Sequence, residues 1–521
     1  MQKIHDYILD NKKLIIYAFV STVVLGLFAH AVGLFNISPV HDALWEFSNS
    51  WQHKVSIGRF LAPFVRTLMG ETIILPWLTG FVAIFFIALS VYFVCKMFEI
   101  KNFFYILIIS GICVTNLTVT SLLAAFTHDF AGDMIALSIS VYAAYNLTKH
   151  IGKLKIKNVL ISAICSFVSL AIYQAYFAVT VTLLFIFSIS KILNEGNIKV
   201  ILKFLLLSIS VLVVVAIVYA IFVYVISLFF SVSVDGSYNS ITQALNIGAI
   251  FSRIPRGIFM VIRVLFLPNN EYAVKATSEW GGYLICLINI FLLLISAYCL
   301  IKGYVKKEVA KYCAPSLICL LILLPLAMSC IYLLFGTAYI LLAFPCWYYY
   351  LLVIQIVDWA QKKHIFKIRK ASIISLSLIL IIVFSNVQVA NAVYTKKELE
   401  KQATLVFMTR VLKKIEEQEN YVYNETPIAI VGEFYKTIPE IAGTEEVNHV
   451  DGVQFKTPLS YSATLYNYFD VVLQYKANMC DGSTLTKLRK MEEVKNMPIF
   501  PNKDSVRIID GIIVVKIGEI E

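Results

Sequence analysis

Residues 36–72 combine side chains that could carry out chemistry on a charged, hydroxylated ligand. Among them are one imidazole, two carboxylates, an indole and two guanidiniums: His41, Asp42, Glu46, Trp45, Arg59 and Arg66. A carboxylate or an imidazole can take a proton from a hydroxyl group, and guanidiniums bind phosphate oxygens through two parallel hydrogen bonds. The set is typical of sugar–phosphate chemistry at a membrane surface. The alternative is a solvated loop whose tryptophans and arginines contact lipid headgroups.

Two cations in this stretch have different surroundings in the sequence. Arg59 follows Gly58 and is expected to begin an apolar helix, which would place it at the edge of a cavity. Lys54 lies in a polar run, and we expect it to meet water.

A second polar segment, THDFAGDMIAL, begins at Thr127 and supplies His128, Asp129 and Asp133. The two aspartates are four residues apart and share one helix face if a helix starts here. Carboxylates at the rim of a membrane domain are costly and usually face a cavity. We therefore expect the three side chains to bind or react with a ligand. The alternative is that Thr127 or Asp129 caps the helix.

Two further segments contain candidate ligand-binding residues. Gln174, in SLAIYQAYF, is a candidate partner for a sugar hydroxyl, although capping or packing is its more ordinary role. Tyr173 and Tyr176 beside it are typical of an aromatic belt at the membrane surface. In GAIFSRIPRGIFMVIRVLFLP, Arg253 and Arg256 lie among apolar residues.

The arginine-containing segment predicts an amphipathic helix in the outer membrane interface, with Pro255 near its start. Arg256 and Arg263 are seven residues apart and share a face. The other outer loops of this half have few cations, so the arginines suggest an anionic, lipid-linked ligand. Anchoring to ordinary headgroups is the alternative.

Composition indicates a polytopic α-helical membrane protein, because only 15% of the 521 residues are charged and 59% are hydrophobic. A membrane-crossing helix needs about 20 apolar residues. Eleven segments qualify, and these are residues 14–35, 73–95, 103–120, 131–147, 158–173, 176–190, 204–230, 280–301, 313–333, 337–357 and 371–392.

Basic residues predict the orientation. Of the 28 lysines and arginines before residue 393, 21 fall at the N-terminus and in alternate loops, and seven fall on the opposite side. Cytoplasmic loops are enriched in these residues, so the N-terminus is predicted inside. The net charge of +11 divides into +14 for residues 1–392 and −3 for residues 393–521. No basic stripe alternates with aromatic residues, so nucleic acid is not an expected partner.

The chain divides into a membrane domain, residues 1–392, and a C-terminal segment, residues 393–521. The composition of the second segment is that of a soluble domain, and eleven crossings would place it outside the membrane as a small α/β domain. The ten cysteines show no pairing or metal-ligand spacing, so neither disulfides, a metal nor another cofactor is indicated, although a divalent metal stays possible. Residues 1–35 have signal-peptide features, but the long apolar run favours an uncleaved anchor.

Four segments, in this order, resemble a known family. They are HDALWEF…W…GRFLAPFVR, THDFAGDMIAL, SLAIYQAYF and, near the end of the chain, MPIFPNKDSVRIIDGIIVVKIG. The chain is similar to the type II glucosyltransferases that modify bacterial and phage envelope polysaccharides such as O-antigen. These enzymes resemble the GT-C class, whose members use polyprenyl-phosphate sugar donors at the outer leaflet of the cytoplasmic membrane. In that class an acidic residue of the first outer loop is the usual catalytic candidate.

The resemblance implies transfer of a hexose, with glucose expected, to an envelope glycan by a single inverting displacement. Asp42 is then the expected base, with Asp129 as second candidate and His41 as its orienting partner or rival. Many relatives have two adjacent acidic residues where this chain has His41 and Asp42, so a metal-bridging pair is not implied. A lipid-linked glycan transporter and an envelope polysaccharide polymerase are the alternative functions.

Overall fold

A computed structural model describes every residue except 1, 38–42, 45–50, 71–74, 150, 153–154, 235–245, 271–272, 338, 366–369, 434–440, 451–452, 455–456, 458, 460–461 and 521. His41, Asp42, Trp45 and Glu46 lie outside the described residues.

The protein is a polytopic bundle of α-helices. In chain order the helices are α1 (Gln2–Phe35), α2 (Trp51–Ser56), α3 (Ala62–Leu68), α4 (Pro76–Met97), α5 (Phe103–Thr115), α6 (Leu117–Ala125), α7 (Thr127–Thr148), α8 (Ile156–Ile172), α9 (Phe177–Glu195), α10 (Ile198–Phe229), α11 (Ile247–Phe266), α12 (Glu279–Val305), α13 (Ala314–Met328), α14 (Cys330–Phe335), α15 (Tyr349–Lys362), α16 (Lys370–Glu416), α17 (Ser462–Val471), α18 (Gly482–Lys490) and α19 (Glu492–Lys495). Short 3-10 helices lie at Gln174–Tyr176, Lys311–Cys313, Ile340–Tyr348 and Glu445–His449.

Among the described residues, nine helical segments have the length and apolar composition to cross a membrane. They are Leu9–Phe35, Pro76–Met97, Phe103–Ala125, Gln174–Glu195, Ile198–Phe229, Glu279–Val305, Lys311–Met328, Ile340–Lys362 and Ala371–Glu416. The two other predicted spans correspond to α7, which carries Asp129 and Asp133, and α8, which has 17 residues. The total of eleven crossings therefore stays a prediction.

The polar helix α7 is held in the interior of the bundle by small side chains on its neighbours. The Ser140 and Ser169 hydroxyls lie 2.7 Å apart, and Thr180 donates to the carbonyl of Ser140. Near the other end of α7, Asn146 donates to the carbonyl of Asn158. Such contacts let helices approach closely where lipid offers no hydrogen bonds. They fix α7, and with it the acidic residues of its first two turns.

Helix α1 packs within the bundle through a buried histidine. One ring nitrogen of His30 lies 2.8 Å from the Tyr394 hydroxyl on α16, and the other lies 2.7 Å from the carbonyl of Val114 on α5. Because buried polar groups need partners, this contact fixes three helices against each other.

Helix α16 continues well beyond the apolar part of its sequence. Its 47 residues correspond to a length of about 70 Å, more than twice the roughly 30 Å of a hydrocarbon core. The far end packs through Met408, Val411 and Ile415 against a three-stranded sheet. The strands β1 (Ile428–Val431), β2 (Val506–Ile509) and β3 (Ile512–Lys516) are ordered β1–β3–β2.

In this sheet β3 pairs in parallel with β1 and antiparallel with β2. Helices α18 and α19 cover one face and α17 the other, through two separate apolar clusters. The described part of residues 393–521 thus contains both strands and helices. Its existence as an independent domain outside the membrane stays a prediction.

The predicted orientation can be tested by cysteine labelling. Lys490 on α18 and Lys157 on α8 are both exposed. With the N-terminus inside, we expect a Lys490→Cys variant to react with a membrane-impermeant maleimide in intact cells, and Lys157→Cys to react only after permeabilisation. The opposite pattern would invert the topology.

Introduced cysteines are needed because the native Cys480 is a poor probe. It is buried, and burial together with the neighbouring Asp481 raises the pKa of its thiol, which reduces the thiolate that reacts. The unmodified protein provides the background signal.

Candidate functional site

The first turn of α7 places two acidic side chains on one helix face. The helix begins at Thr127, so Asp129 and Asp133 lie on successive turns, as the spacing predicts. The capping interpretation is wrong. Phe126 occupies the cap position without a side-chain hydrogen bond, and the Thr127 hydroxyl donates to the carbonyl of Leu123.

A buried ion pair joins this turn to the segment between α1 and α4. Lys54 Nζ on α2 lies 2.5 Å from Asp129 Oδ2. The Lys54 and Asp129 side chains are only 5% and 13% exposed. The expectation that Lys54 meets water is therefore wrong. Its position in a polar run did not reveal that the helix carrying it packs against the membrane domain, where a buried ammonium requires an anionic partner.

The turn after α2 is held by two side chains from other helices. Gln174 donates to the carbonyl of Ile57 and to the Tyr219 hydroxyl, which itself donates to the carbonyl of Gly58. Gly58 has a φ of +83°, and a β-carbon there would lie 2.5 Å from the Tyr219 hydroxyl oxygen. A side chain is thus excluded both by the backbone conformation and by the lack of space. The turn sets the direction in which the next residue points.

That next residue is Arg59, and its guanidinium lies against an aromatic ring. The guanidinium carbon is 4.4 Å from the centroid of the Tyr173 ring, and Nε donates to Gln174 Oε1 at 3.3 Å. Arg59 precedes α3 by three residues, so it lies in the turn and does not begin the helix as expected. The amide of Gln174 is occupied by Arg59, Ile57 and Tyr219, so its role in this structure is to position the turn.

Arg59 and Arg66 both lie within electrostatic range of Asp129. Arg66, on α3, is buried and lines a small cavity with Thr127 and His128. The structure therefore brings together most of the described candidates from two distant segments, namely Arg59, Arg66, His128, Asp129 and Asp133, and adds Lys54.

Asp133 lies one turn deeper than Asp129 and faces a different environment. It is 6% exposed, and it makes no hydrogen bond or ion pair with any described residue, although Arg59 and Lys54 lie within its electrostatic range. The Tyr176 ring lies within its electrostatic range and is fully buried, with a hydroxyl that also has no partner. Tyr173 and Tyr176 were expected in an interfacial belt. Both are instead buried inside the bundle, because the Gln174–Tyr176 turn packs against α7 and residues 340–348.

Arg253 and Arg256 of α11 have surroundings of their own, separate from the cluster around Asp129. The helix is amphipathic as predicted, and Phe251 and Phe259 are among the apolar side chains it exposes. Arg253 donates to the carbonyls of Leu333 and Leu334 at 3.1 and 2.7 Å, which terminates α14. Its role as a phosphate ligand is thus not supported.

Two other features of α11 concern Arg256 and Pro255. Arg256 is exposed on the surface of α11. Pro255 lies inside the helix and not near its start.

The residues that follow Asp42 lead towards the same turn of α7. Ala43 packs against Ala125 and Phe126, just before the α7 start, and Leu44 is buried in the apolar core around the end of α16. Asn467 on α17 donates to the carbonyl of Leu44. Ala43 and Leu44 thus contact both the helical bundle and the C-terminal segment. Within the described residues, no group of three His, Cys, Asp or Glu side chains forms a metal-binding cluster.

Comparison with known proteins identifies the family of the chain. The family model described as Glucosyl transferase GtrII matches residues 31–357, which is more than half of the chain. The chain belongs to this glucosyl transferase family. No curated protein and no solved structure matches it. The matched GtrII region contains α2, α7 and every residue of the cluster around Asp129, and it ends before α16.

Lys54, Tyr176 and Tyr219 are the residues around this cluster that sequence reasoning missed. Lys54 carried one usable signal, because it is one of only seven lysines and arginines that residues 1–392 place on the predicted outer side. Lysines and arginines are usually enriched on the cytoplasmic side. A lysine predicted on the other side, together with an acidic residue predicted at the membrane, suggests an ion pair between the two. No comparable signal distinguishes Tyr176 from a tyrosine of an interfacial belt.

The ion pair makes a prediction about stability. Removing one partner leaves the other charge buried, so Lys54→Met and Asp129→Asn should each lower the free energy of unfolding by about 3–5 kcal/mol. The double variant should lose clearly less than the sum of the two single losses, since the two charges are coupled. Denaturant unfolding of the detergent-solubilised protein measures all three values.

The matched control is the exposed pair of Lys362 and Asp358, which lies 2.7 Å apart with the lysine 69% exposed. Lys362→Met should change the free energy of unfolding by less than about 1 kcal/mol. A Lys54→Met loss no larger than this would contradict the buried ion pair.

Proposed function

We propose that the protein transfers a hexose, most simply glucose, from a polyprenyl-phosphate donor to an envelope glycan at the outer face of the bacterial cytoplasmic membrane. The observation that carries the proposal is the buried cluster of Lys54, Arg59, Arg66, Asp129 and Asp133 at one end of apolar helices in a glucosyl transferase family member. Such a site combines cations for a phosphate with carboxylates for hydroxyl groups, next to a bilayer that accommodates the polyprenyl chain.

The chemical step is a single displacement. The acceptor hydroxyl oxygen attacks the anomeric carbon, the bond from that carbon to the phosphate oxygen breaks, and its electron pair leaves with the phosphate. A base takes the hydroxyl proton, and cations stabilise the charge that develops on the phosphate. The anomeric configuration is inverted because only one substitution occurs. No further reactant is required.

Arg59 is the proposed ligand of the donor phosphate. Its guanidinium is only half-buried and is oriented by Tyr173 and Gln174, which reduces the entropy lost on binding. Arg66 lies nearby and adds positive potential. The exposed Arg256 and the apolar side chains of α11 suit a helix that lies in the interface, where a lipid-linked donor would arrive.

Asp42 is the proposed base. Asp129 has the same chemistry, but the Lys54 ammonium occupies its Oδ2, so accepting a proton there requires breaking the ion pair. The chain just after Asp42 packs at the start of α7, which supports a role for the first loop at this site. His41 is proposed to orient Asp42, and Trp45 and Glu46 to contact the sugar or the acceptor. His128 remains a candidate substrate ligand beside Arg66.

Binding of the donor tests the role of Arg59. We expect Arg59→Ala to weaken the binding of polyprenyl-phosphate glucose by roughly 10–100-fold, since a charge-assisted hydrogen bond contributes about 1.5–3 kcal/mol. The exposed Arg489 on α18 is the control, and Arg489→Ala should bind as the unmodified protein does. Lys54 does not serve as this control, because its removal disturbs the ion pair. Equal affinity in both variants would remove Arg59 from the site.

Turnover tests the role of Asp42. We expect Asp42→Asn to abolish glucose transfer while donor binding and expression stay near those of the unmodified protein, because an amide cannot accept the proton. Glu46→Gln, four residues on, shows whether any nearby carboxylate is sufficient. If Asp129→Asn abolishes transfer and Asp42→Asn does not, the two roles are reversed. If both variants retain transfer, the transporter function becomes the better interpretation.

A further inference from the structure

Asp133 and Tyr176 are two of the buried residues in the bundle whose polar side chains have no hydrogen-bond partner among the described residues. The Asp133 carboxylate, 6% exposed, makes no hydrogen bond or ion pair among the described residues, and the fully buried Tyr176 hydroxyl, within its electrostatic range, makes none either. Burying an unpaired carboxylate is strongly unfavourable, and buried hydroxyl groups nearly always find a partner. Two such groups within electrostatic range of each other indicate that their partner is a ligand.

The surroundings of the two groups define what kind of ligand would fit. The Tyr176 ring packs edge-on against Tyr173 and Phe344, with ring centroids 5.5 and 5.8 Å apart. These aromatic rings give the site apolar walls, and the polar groups on them are few. Ligand sites commonly combine apolar and aromatic walls with a few polar groups that fix orientation. A pyranose ring has this character, because its C–H faces are apolar and its hydroxyl groups lie around its edge.

The position relative to Arg59 is the third observation. Tyr173 contacts the Arg59 guanidinium and also contacts Tyr176, so one aromatic ring separates the proposed phosphate ligand from the unpaired hydroxyl. A glycosyl phosphate has the same order of groups, with its phosphate directly attached to its hydroxyl-bearing ring.

We infer that Asp133 and Tyr176 form the subsite that holds the transferred hexose, with the carboxylate accepting from a sugar hydroxyl and the tyrosine hydroxyl bonding to a second oxygen. This inference rests on the proposed donor and deepens it, because it separates the residues that bind the sugar from those that bind the phosphate. Asp129, paired with Lys54, does not take part in holding the sugar.

The test compares two lipids on the purified full-length protein, polyprenyl-phosphate glucose and polyprenyl phosphate without sugar. The ratio of their dissociation constants measures what the sugar adds to affinity. We expect Asp133→Asn and Tyr176→Phe to reduce this ratio by roughly 10-fold or more, while binding of the unglycosylated lipid is unchanged. Arg59→Ala should weaken the binding of both lipids equally, so it distinguishes the phosphate contact from the sugar contact.

The controls lie at the far end of the bundle. Asp358→Asn removes a carboxylate that pairs with Lys362, and Tyr105→Phe removes a hydroxyl that contacts Ser372. Both should keep the sugar contribution of the unmodified protein. Thermal unfolding checks that the Asp133 and Tyr176 variants fold.

The outcomes separate the inference from the proposed function. If the unmodified protein binds the glucosylated lipid more tightly and both site variants retain that preference, the subsite assignment is wrong while the donor stands. If the unmodified protein shows no preference for the sugar, the assignment is also wrong. If it binds neither lipid, the proposed donor fails and the sugar subsite fails with it.

A panel of monodeoxy glucose donors identifies the hydroxyl involved. We expect one analogue to bind the unmodified protein more weakly than the glucose donor and to bind Asp133→Asn as well as the glucose donor does. If Asp133→Asn discriminates against every analogue as strongly as the unmodified protein, the carboxylate contacts none of these hydroxyl groups, and the assignment of Asp133 is overturned.

Discussion

A charge taken out of water at the end of a membrane bundle must be matched by an opposite charge, and this constraint organises the site. Lys54 and Asp129 are 75 residues apart in the chain and meet in a place where neither is solvated. Their pairing attaches α2 to the first turn of α7, and α2 carries the turn that orients Arg59. The pair thus joins the helix before Arg59 to the helix that carries both carboxylates. The electrostatic constraint therefore also has a geometric consequence.

The same constraint operates where α16 leaves the apolar region. Glu400 is almost completely buried between Lys396 and Lys397, and Lys396 also donates to the carbonyl of Val453. These three charged side chains lie on one continuous helix, and the contact of Lys396 with Val453 connects the C-terminal segment to the end of the bundle. Lys397 and Thr127 line one pocket, so the helix reaches the edge of the α7 turn. This arrangement gives the C-terminal segment a physical route to influence the site without supplying a reacting group.

Local patterns predicted the parts of the protein that depend on local physics. The apolar segments, the start of a helix before Asp129 and the amphipathic character of α11 all follow from the spacing of residues within one element. The surroundings of individual side chains were predicted poorly wherever they depend on a partner elsewhere in the chain. Lys54 looked solvated because its anion lies on α7, and Arg253 looked available because the carbonyls that it binds lie on α14. Tyr176 looked interfacial because nothing near it in sequence shows that the Gln174–Tyr176 turn is buried.

The two aspartates of α7 illustrate why residue type alone does not assign a role. Asp129 and Asp133 are four residues apart on one face of one helix, yet among the described residues only Asp129 forms an ion pair. The Asp129 carboxylate is paired with Lys54 and lies near two arginines, so its charge is already balanced within the protein. The Asp133 carboxylate has no such partner among the described residues. Buried polar groups usually have one, so an unpaired carboxylate requires an explanation. Natural proteins retain unsatisfied groups of this kind mainly where function requires them. The difference between the two therefore separates an acid that joins α2 to α7 from an acid whose charge no described residue pairs.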